Sequence, residues 1–148
     1  MRSPRSARAA LGFLFVSALA IGLTAAVLPR TFYDDFPFLA HWVELLPPYN
    51  EHLVTDVGGL YLGFAVLFGW AAWTLGRTLV RAVSVAWLLT AAIHLCFHAG
   101  HLAGFNTADA IAELFTLALL LVPPPVAVWA VAETDGDQPR VESRPSRD

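Results

Sequence analysis

The sequence predicts an all-α fold, a four-helix transmembrane bundle with an extracytoplasmic loop between spans 1 and 2. Of its 148 residues, 57% are apolar and 14% are charged, whereas soluble domains average about 45–50% apolar and about 25% charged residues. The apolar residues form four long runs without the alternation typical of β-strands. Because roughly 20 helical residues cross a hydrocarbon core of about 30 Å, each run is long enough to span a membrane.

The first apolar run covers about residues 9–28 and follows a basic start. A cleaved signal peptide is the alternative, with Ala18-Leu19-Ala20 as its cleavage motif. The apolar core of a signal peptide has only about 7–15 residues. The greater length of this run favours a membrane-spanning helix.

Three further spans are predicted at about residues 54–75, 79–100 and 109–132. Residues 1–132 therefore form one four-span membrane domain. Residues 133–148 are polar and mixed in charge, which predicts a disordered cytoplasmic tail.

Three consecutive prolines, Pro123 to Pro125, lie inside the fourth span. Each lacks a backbone N–H, so we expect the helix to kink or break there. The carbonyl groups that lose their partners need a neighbouring donor or water, because lipid supplies none.

The arginines predict the orientation of the chain. Eight of the nine precede span 1, lie near the turn between spans 2 and 3, or lie in the tail, and only Arg30 follows span 1. Because basic residues concentrate on the cytoplasmic side, both termini are predicted to be cytoplasmic.

Small residues predict which helices touch, since membrane helices associate where small side chains let backbones approach. Span 1 carries Ala18, Gly22 and Ala26 at four-residue spacing, and span 2 carries Gly59 and Gly63. We expect these rows to form a contact between two helices of one bundle. A homodimer contact is the alternative.

The outer loop, residues 29–53, combines aromatic and acidic side chains. Aromatic residues favour the membrane interface, where one end of the side chain is apolar and the other stays wet. Residues 38–46 are expected to form a short interfacial helix. The loop is interpreted as a surface cap of the bundle or as a lid over an outward pocket.

Ionisable residues gather at the outer ends of the other three spans. They are Glu51, His52 and Asp56 of span 2, His94, His98 and His101 of span 3, and Asp109 and Glu113 of span 4. The three histidines share one helix face at i, i+4 and i+7. Ionisable groups in apolar spans cost several kcal/mol unless they are paired or hydrated, so their positions need a reason.

One interpretation of this group is a metal site, since imidazole and carboxylate ligands on bundled helices suit zinc, iron, manganese or copper. The candidate ligands are His94, His98, Glu113, His52 and Asp56. A b-type haem held by two histidines is a variant of this hypothesis. A structural hydrogen-bond network and a proton or ion path are the alternatives. Asn106, Asp109 and Asp56 also fit the role of helix N-terminal caps.

Composition excludes several other classes. A formal charge of −3 without a basic cluster argues against nucleic-acid binding. The single cysteine, Cys96, excludes an intrachain disulfide and is expected to be a small core residue. The sequence shows no serine nucleophile motif and no glycine-rich phosphate loop.

Two blocks carry a resemblance to a known group. The stretch Pro48-Tyr49-Asn50-Glu51-His52-Leu53-Val54-Thr55-Asp56-Val57-Gly58, with Phe32-Tyr33-Asp34-Asp35-Phe36-Pro37, resembles blocks in small, uncharacterised actinobacterial four-span membrane proteins. In size and span count the chain is also similar to the broad DoxX-like group. The resemblance covers about residues 9–132. It implies an integral membrane protein with a polar cluster on its outer face. It does not identify a substrate.

Three functions follow as hypotheses for a multi-pass protein of a bacterial plasma membrane. The first is an accessory or small-ligand-binding protein with an outward-facing cluster of histidines and carboxylates. The second is a metal- or haem-binding membrane oxidoreductase. The third is an oligomeric small transporter subunit in which Glu113 and Asp56 carry protons. Expected partners are the lipid bilayer and another membrane protein or a second copy of this chain.

Overall fold

The computed structural model describes residues 4–37, 40–46 and 48–132, and all regular secondary structure in these segments is helical. The predicted tail, residues 133–148, lies outside the described residues. The elements in chain order are α1 (Pro4–Val27), α2 (Pro29–Asp35), a 3₁₀ turn (Val43–Leu45), α3 (Glu51–Thr74), α4 (Arg77–Ala99), α5 (Thr107–Leu119) and α6 (Pro123–Val131).

Four helical segments are long and apolar enough to cross a membrane. They are α1, α3, α4 and the α5–α6 pair, Thr107–Val131. The predicted all-α class and the four spans are confirmed. Helix α3 begins at Glu51, before the predicted start at about residue 54. The side chain of Asn50 accepts a 3.1 Å hydrogen bond from the N–H of Leu53 and so caps the helix. Asp56, considered as a cap, lies inside the helix instead.

The fourth span is broken, as the three prolines predict. Helix α5 ends at Leu119, and α6 begins with Pro123 in its first position. The N–H groups of Leu120, Leu121 and Val122 bond to carbonyls three residues back, so the break is a tight 3₁₀-like turn. A proline at the first helical position is favourable because its missing N–H would have no intrahelical partner.

Helix α1 packs along α3 through small residues. Gly58 on α3 lies so close that an added Cβ would stand 2.8 Å from backbone atoms of Ala25 and Ala26. Gly22 on α1 faces Leu62 in the same way, at 2.9 Å. The row predicted on span 1 is therefore confirmed as a contact inside the bundle.

The prediction that Gly59 and Gly63 of span 2 form the contact with span 1 is wrong. A Cβ on Gly59 or Gly63 would meet nothing within 4 Å. Consecutive helical residues differ by about 100° in direction, so Gly58 faces α1 while Gly59 points away from it. The alternative role of Gly59 and Gly63 in a homodimer stays a hypothesis.

An aromatic group centred on Trp87 joins α4 to α3. Its ring makes edge-to-face contacts with Tyr61, Phe64 and Phe68, with centroids 5.2–5.7 Å apart. Trp87 and Phe68 are both buried. Edge-to-face pairs place the positive ring edge against the negative ring face, so they fix the orientation of the indole as well as its position.

Contacts at the helix ends show which elements share one end of the bundle. Nε of Arg8 donates to the carbonyl of Ala72 at 3.3 Å, and Nη2 of Arg77 donates to the carbonyl of Ala132 at 3.1 Å. The start of α1, the end of α3, the start of α4 and the end of α6 therefore meet at this end. Helix α2, the 3₁₀ turn and the α4–α5 connection lie at the opposite end. The arginine distribution predicts that this end faces outward, and it is therefore named the outer end.

The outer loop differs from the prediction. A helix forms earlier, at Pro29–Asp35, and the described residues 40–46 contain only the 3₁₀ turn Val43–Leu45. Leu28 separates α1 from α2 because a residue before proline is disfavoured in the helical conformation. Residues 38 and 39 of the predicted interfacial helix lie outside the described residues.

Candidate functional site

A histidine on α4 and a carboxylate on α5 meet at the outer end of the bundle. Nδ1 of His98 lies 2.6 Å from Oε1 of Glu113. The relative exposure of His98 is 7% and that of Glu113 is 3%, so both are buried. The pair joins the last turn of α4 to the second turn of α5, across the connection at residues 100–106.

The second oxygen of this carboxylate is unsatisfied. Oε2 of Glu113 is buried and has no hydrogen-bond partner. A buried polar group that is left without a hydrogen-bond partner costs about 1–3 kcal/mol, and more when it is charged. The pair is therefore a polar group with remaining capacity to accept a hydrogen bond or to bind a proton.

Two more histidines lie near the pair: His94 on α4 and His101 just after the end of α4. The ring of His94 packs against the ring of His98 with centroids 4.4 Å apart. His101 stacks on Phe97 and its Nδ1 lies 2.7 Å from the carbonyl of Phe97. His94 and His101 are exposed, whereas His98 between them is buried. We call His94, His98 and Glu113 the polar cluster.

A narrow cleft opens beside the polar cluster. Its volume is about 10 Å³, which is about the size that holds one water molecule. The cleft lies between α3, α4 and the α5 side of the break, and its lining residues are Tyr61, Trp87, Thr90, Ala91, His94, Leu117 and Leu120. His94 therefore belongs both to the cleft and to the polar cluster.

The cleft wall contains a carbonyl that the prolines leave free. In an unbroken helix the carbonyl of Leu120 would accept from the N–H of residue 124, but Pro124 has none. The indole N–H of Trp87 donates to that carbonyl instead, at 3.1 Å. A side chain of α4 thus satisfies one of the carbonyls that the prolines leave without a helical donor.

The residues predicted from span 2 lie elsewhere. Nε2 of His52 is 3.3 Å from Oδ2 of Asp56, one helical turn away on α3, and both side chains are exposed. This arrangement is a surface pair within one helix. Asn106, not Asp109, caps α5, because its Oδ1 accepts from the N–H of Asp109 at 3.0 Å.

Of the five predicted ligands, the structure brings His98 into hydrogen-bond contact with Glu113 and into ring contact with His94. His52 and Asp56 contact each other elsewhere, on α3. In the part of the chain that the structure describes, no group of three or more His, Cys, Asp or Glu side chains is placed to hold a metal ion. Cys96 is exposed rather than in the core, because it lies on the face of α4 turned away from the bundle. The prediction of a core cysteine is wrong.

The outer loop has its own charged group around Arg30. Nε of Arg30 donates to Oδ2 of Asp34 at 2.7 Å, and its guanidinium lies 5.0 Å from the ring centroid of Tyr49. The bond and the charge of Asp34 raise the pKa of Arg30, which stays a cation. Desolvation raises the pKa of Tyr49, and the nearby Glu51 carboxylate adds to this shift.

The sequence analysis did not predict the aromatic and hydroxyl-bearing residues of the cleft, which are Tyr61, Trp87 and Thr90. A signal for Trp87 and Thr90 was present, since Trp87, Thr90 and His94 fall on one face of a helix at spacings of three and four. Tyr61 comes from another helix, so its position depends on how α3 packs against α4.

Known proteins give no further guide to the site. No protein-family description, no curated protein and no solved structure matches the chain.

Proposed function

We propose that this chain is a non-enzymatic accessory protein of a bacterial plasma membrane that binds a small ligand at its outward-facing polar cluster. The observation that carries the proposal is the buried pair of His98 and Glu113, with Oε2 of Glu113 unpartnered. Ionisable groups in an apolar span are costly, and they commonly mark binding or transport sites. The resemblance to small actinobacterial four-span proteins agrees with this location.

The orientation belongs to the same proposal. The contacts of Arg8 and Arg77 gather basic residues at the end of the bundle opposite the polar cluster. Under the positive-inside rule that end faces the cytoplasm, so the polar cluster faces outward. Labelling of single cysteines in a Cys96→Ser background tests this. A cysteine in place of Ser6 should be protected from an impermeant reagent in whole cells, and one in place of Thr107 should react.

The geometry restricts the ligand. The free carboxylate oxygen accepts hydrogen bonds or pairs with a cation, and the neighbouring cleft has room for about one water molecule. A proton, a small cation or a small hydrogen-bond donor fits both conditions. An extended organic substrate does not fit the cleft in this form.

Thermal unfolding of the detergent-purified protein tests the proposal. The probes are proton concentration, ammonium, sodium and zinc ions, each varied alone. A ligand at 100 times its Kd stabilises a protein by about 2.7 kcal/mol. We expect at least one probe to stabilise the wild type and not Glu113→Gln, while the exposed control Glu51→Gln keeps the response. Equal responses of wild type and Glu113→Gln to all four probes would reject the proposal.

A metal- or haem-dependent oxidoreductase is the second candidate, favoured by the adjacency of His94 to the His98–Glu113 pair. Metal analysis and a visible spectrum of the purified protein test it beside a His94→Ala/His98→Ala double variant. Stoichiometric metal or haem, lost in the double variant, would replace the first proposal with this one.

An oligomeric transporter subunit is the third candidate, because Gly59 and Gly63 leave an open face on α3. The transporter candidate predicts that vesicles containing the protein take up a small solute in a pH-dependent manner. This uptake should be lost in Glu113→Gln.

A further inference from the structure

We propose that the groove between α1 and α3 binds the headgroup of an anionic phospholipid at the end of the bundle opposite the outer end, with Arg8 as the residue that binds the phosphate. This end, where α1 begins and α3 ends, is named the inner end. The lipid site is separate from the polar cluster and from its proposed ligand. Three features of the inner end carry it: the position of one guanidinium, its depth in the membrane and the charges around it.

The side chain of Arg8 reaches across the groove. Its Nε donates to the carbonyl of Ala72 on α3 at 3.3 Å, and the residue is exposed. The two terminal nitrogens of a guanidinium carry four further N–H donors in one plane, and this geometry matches two oxygens of one phosphate group. The bond to Ala72 therefore holds a phosphate-binding cation between the two helices.

The depth of Arg8 matches that of lipid phosphates. Arg8 is the last charged residue before the apolar run of α1, and Ala72 lies in the last turn of α3. Trp73 follows Ala72 and is 81% exposed. Tryptophan favours the membrane interface, where its ring contacts apolar chains and its N–H stays near the headgroups. The groove thus combines a cation for the headgroup with an indole at the same level.

The charges of the described residues are divided between the two ends of the bundle. Every carboxylate side chain among them belongs to α2, to the 3₁₀ turn or to the first two turns of α3 or α5, all at the outer end. Four of the five described arginines lie at the inner end, and they are Arg5, Arg8, Arg77 and Arg81. Basic pockets between membrane helices bind anionic headgroups, so the charge of this end complements such a lipid.

The acidic residues that follow α6 are the competing occupant. Glu133, Asp135 and Asp137 come soon after Ala132, whose carbonyl accepts a hydrogen bond from Arg77. That bond holds the end of α6 against α4, whereas Arg8 lies against α3. We therefore assign the groove at Arg8 to lipid, and the test includes the acidic residues as a separate outcome.

Quenching of tryptophan fluorescence by lipids with brominated acyl chains tests the site on the full chain in vesicles. Brominated phosphatidylglycerol is compared with brominated phosphatidylcholine, and each protein is measured with and without Trp73→Phe to isolate the quenching of Trp73. We expect about a fivefold preference for the anionic lipid, which corresponds to about 1 kcal/mol for one basic residue near an anionic surface. Arg8→Gln should remove this preference. Arg30→Gln, at the outer end, should keep it.

Arg8→Lys separates a phosphate site from general attraction to a charged surface, and it carries the test if Arg8→Gln does not fold. Lysine keeps the charge but lacks the planar fork of donors, so the preference should fall. An unchanged preference in Arg8→Gln or Arg8→Lys would overturn the proposal, as would a wild type that shows no preference. A preference that appears only in the variant Glu133→Gln/Asp135→Asn/Asp137→Asn would assign the groove to the acidic residues instead.

Discussion

The indole N–H of Trp87 and the carbonyl of Leu120 form a 3.1 Å hydrogen bond that joins α4 to the break in the fourth span. The bond replaces the intrahelical one that Pro124 cannot make. In a membrane such a replacement is needed, because lipid offers no donor to a free carbonyl. The break and the aromatic group around Trp87 are therefore two parts of one arrangement.

Trp87→Phe should destabilise the protein by about 1–3 kcal/mol, because it leaves the Leu120 carbonyl without a donor in an apolar place. Denaturant unfolding in detergent micelles measures the change. Trp73→Phe is the matched control, since Trp73 is 81% exposed, and it should cost less than about 0.5 kcal/mol. Equal losses in the two variants would show that the Trp87 bond contributes nothing.

Adjacent glycines on α3 should respond oppositely to alanine. Gly58→Ala places a methyl group against the backbone of Ala25 and Ala26 and should cost about 1–3 kcal/mol. Gly59→Ala has open space and gains up to about 1 kcal/mol of helix propensity. Unfolding of both variants in the same detergent provides the comparison. A tolerated Gly58→Ala would contradict the close packing of α1 on α3.

The phenol of Tyr49 should ionise at a higher pH than free tyrosine. Its pKa is raised by desolvation and by Glu51, while the Arg30 cation acts in the opposite direction. Stability from this neutral phenol is therefore complete below the pKa of unfolded tyrosine and is lost as the pH rises through the folded value. Ultraviolet titration of wild type against Tyr49→Phe isolates its ionisation. Arg30→Gln should raise the pKa of Tyr49 further, and a lowered value would contradict the arrangement.

The sequence predicts most of the fold because each feature has a local cause. Span length, the proline break and the close-packing row on α1 all follow from residue type and helical spacing. The residue of α3 that contacts this row cannot be predicted in the same way, because Gly58 and Gly59 are both glycines and are adjacent in the sequence. Only the rotation of α3 about its axis decides which one faces Ala25.

The candidate site is predictable in part for a related reason. The helical spacing of His94 and His98 places them on one face, and Glu113 lies inside an apolar run. Their meeting depends on the connection between α4 and α5, whose course the pattern does not determine. The same pattern suggested that His52 and Asp56 join the cluster, whereas the structure pairs them with each other on the surface.

The central claim is that His98 and Glu113 form a buried, coupled pair inside the membrane domain, and a double-mutant cycle tests it most directly. The variants His98→Leu, Glu113→Leu and the double variant are unfolded in the same detergent. Each single change strands a buried polar partner and should cost about 3–5 kcal/mol. The double variant strands none, so it should lose much less than the sum. Additive losses would show that the two side chains do not interact, and would contradict the claim.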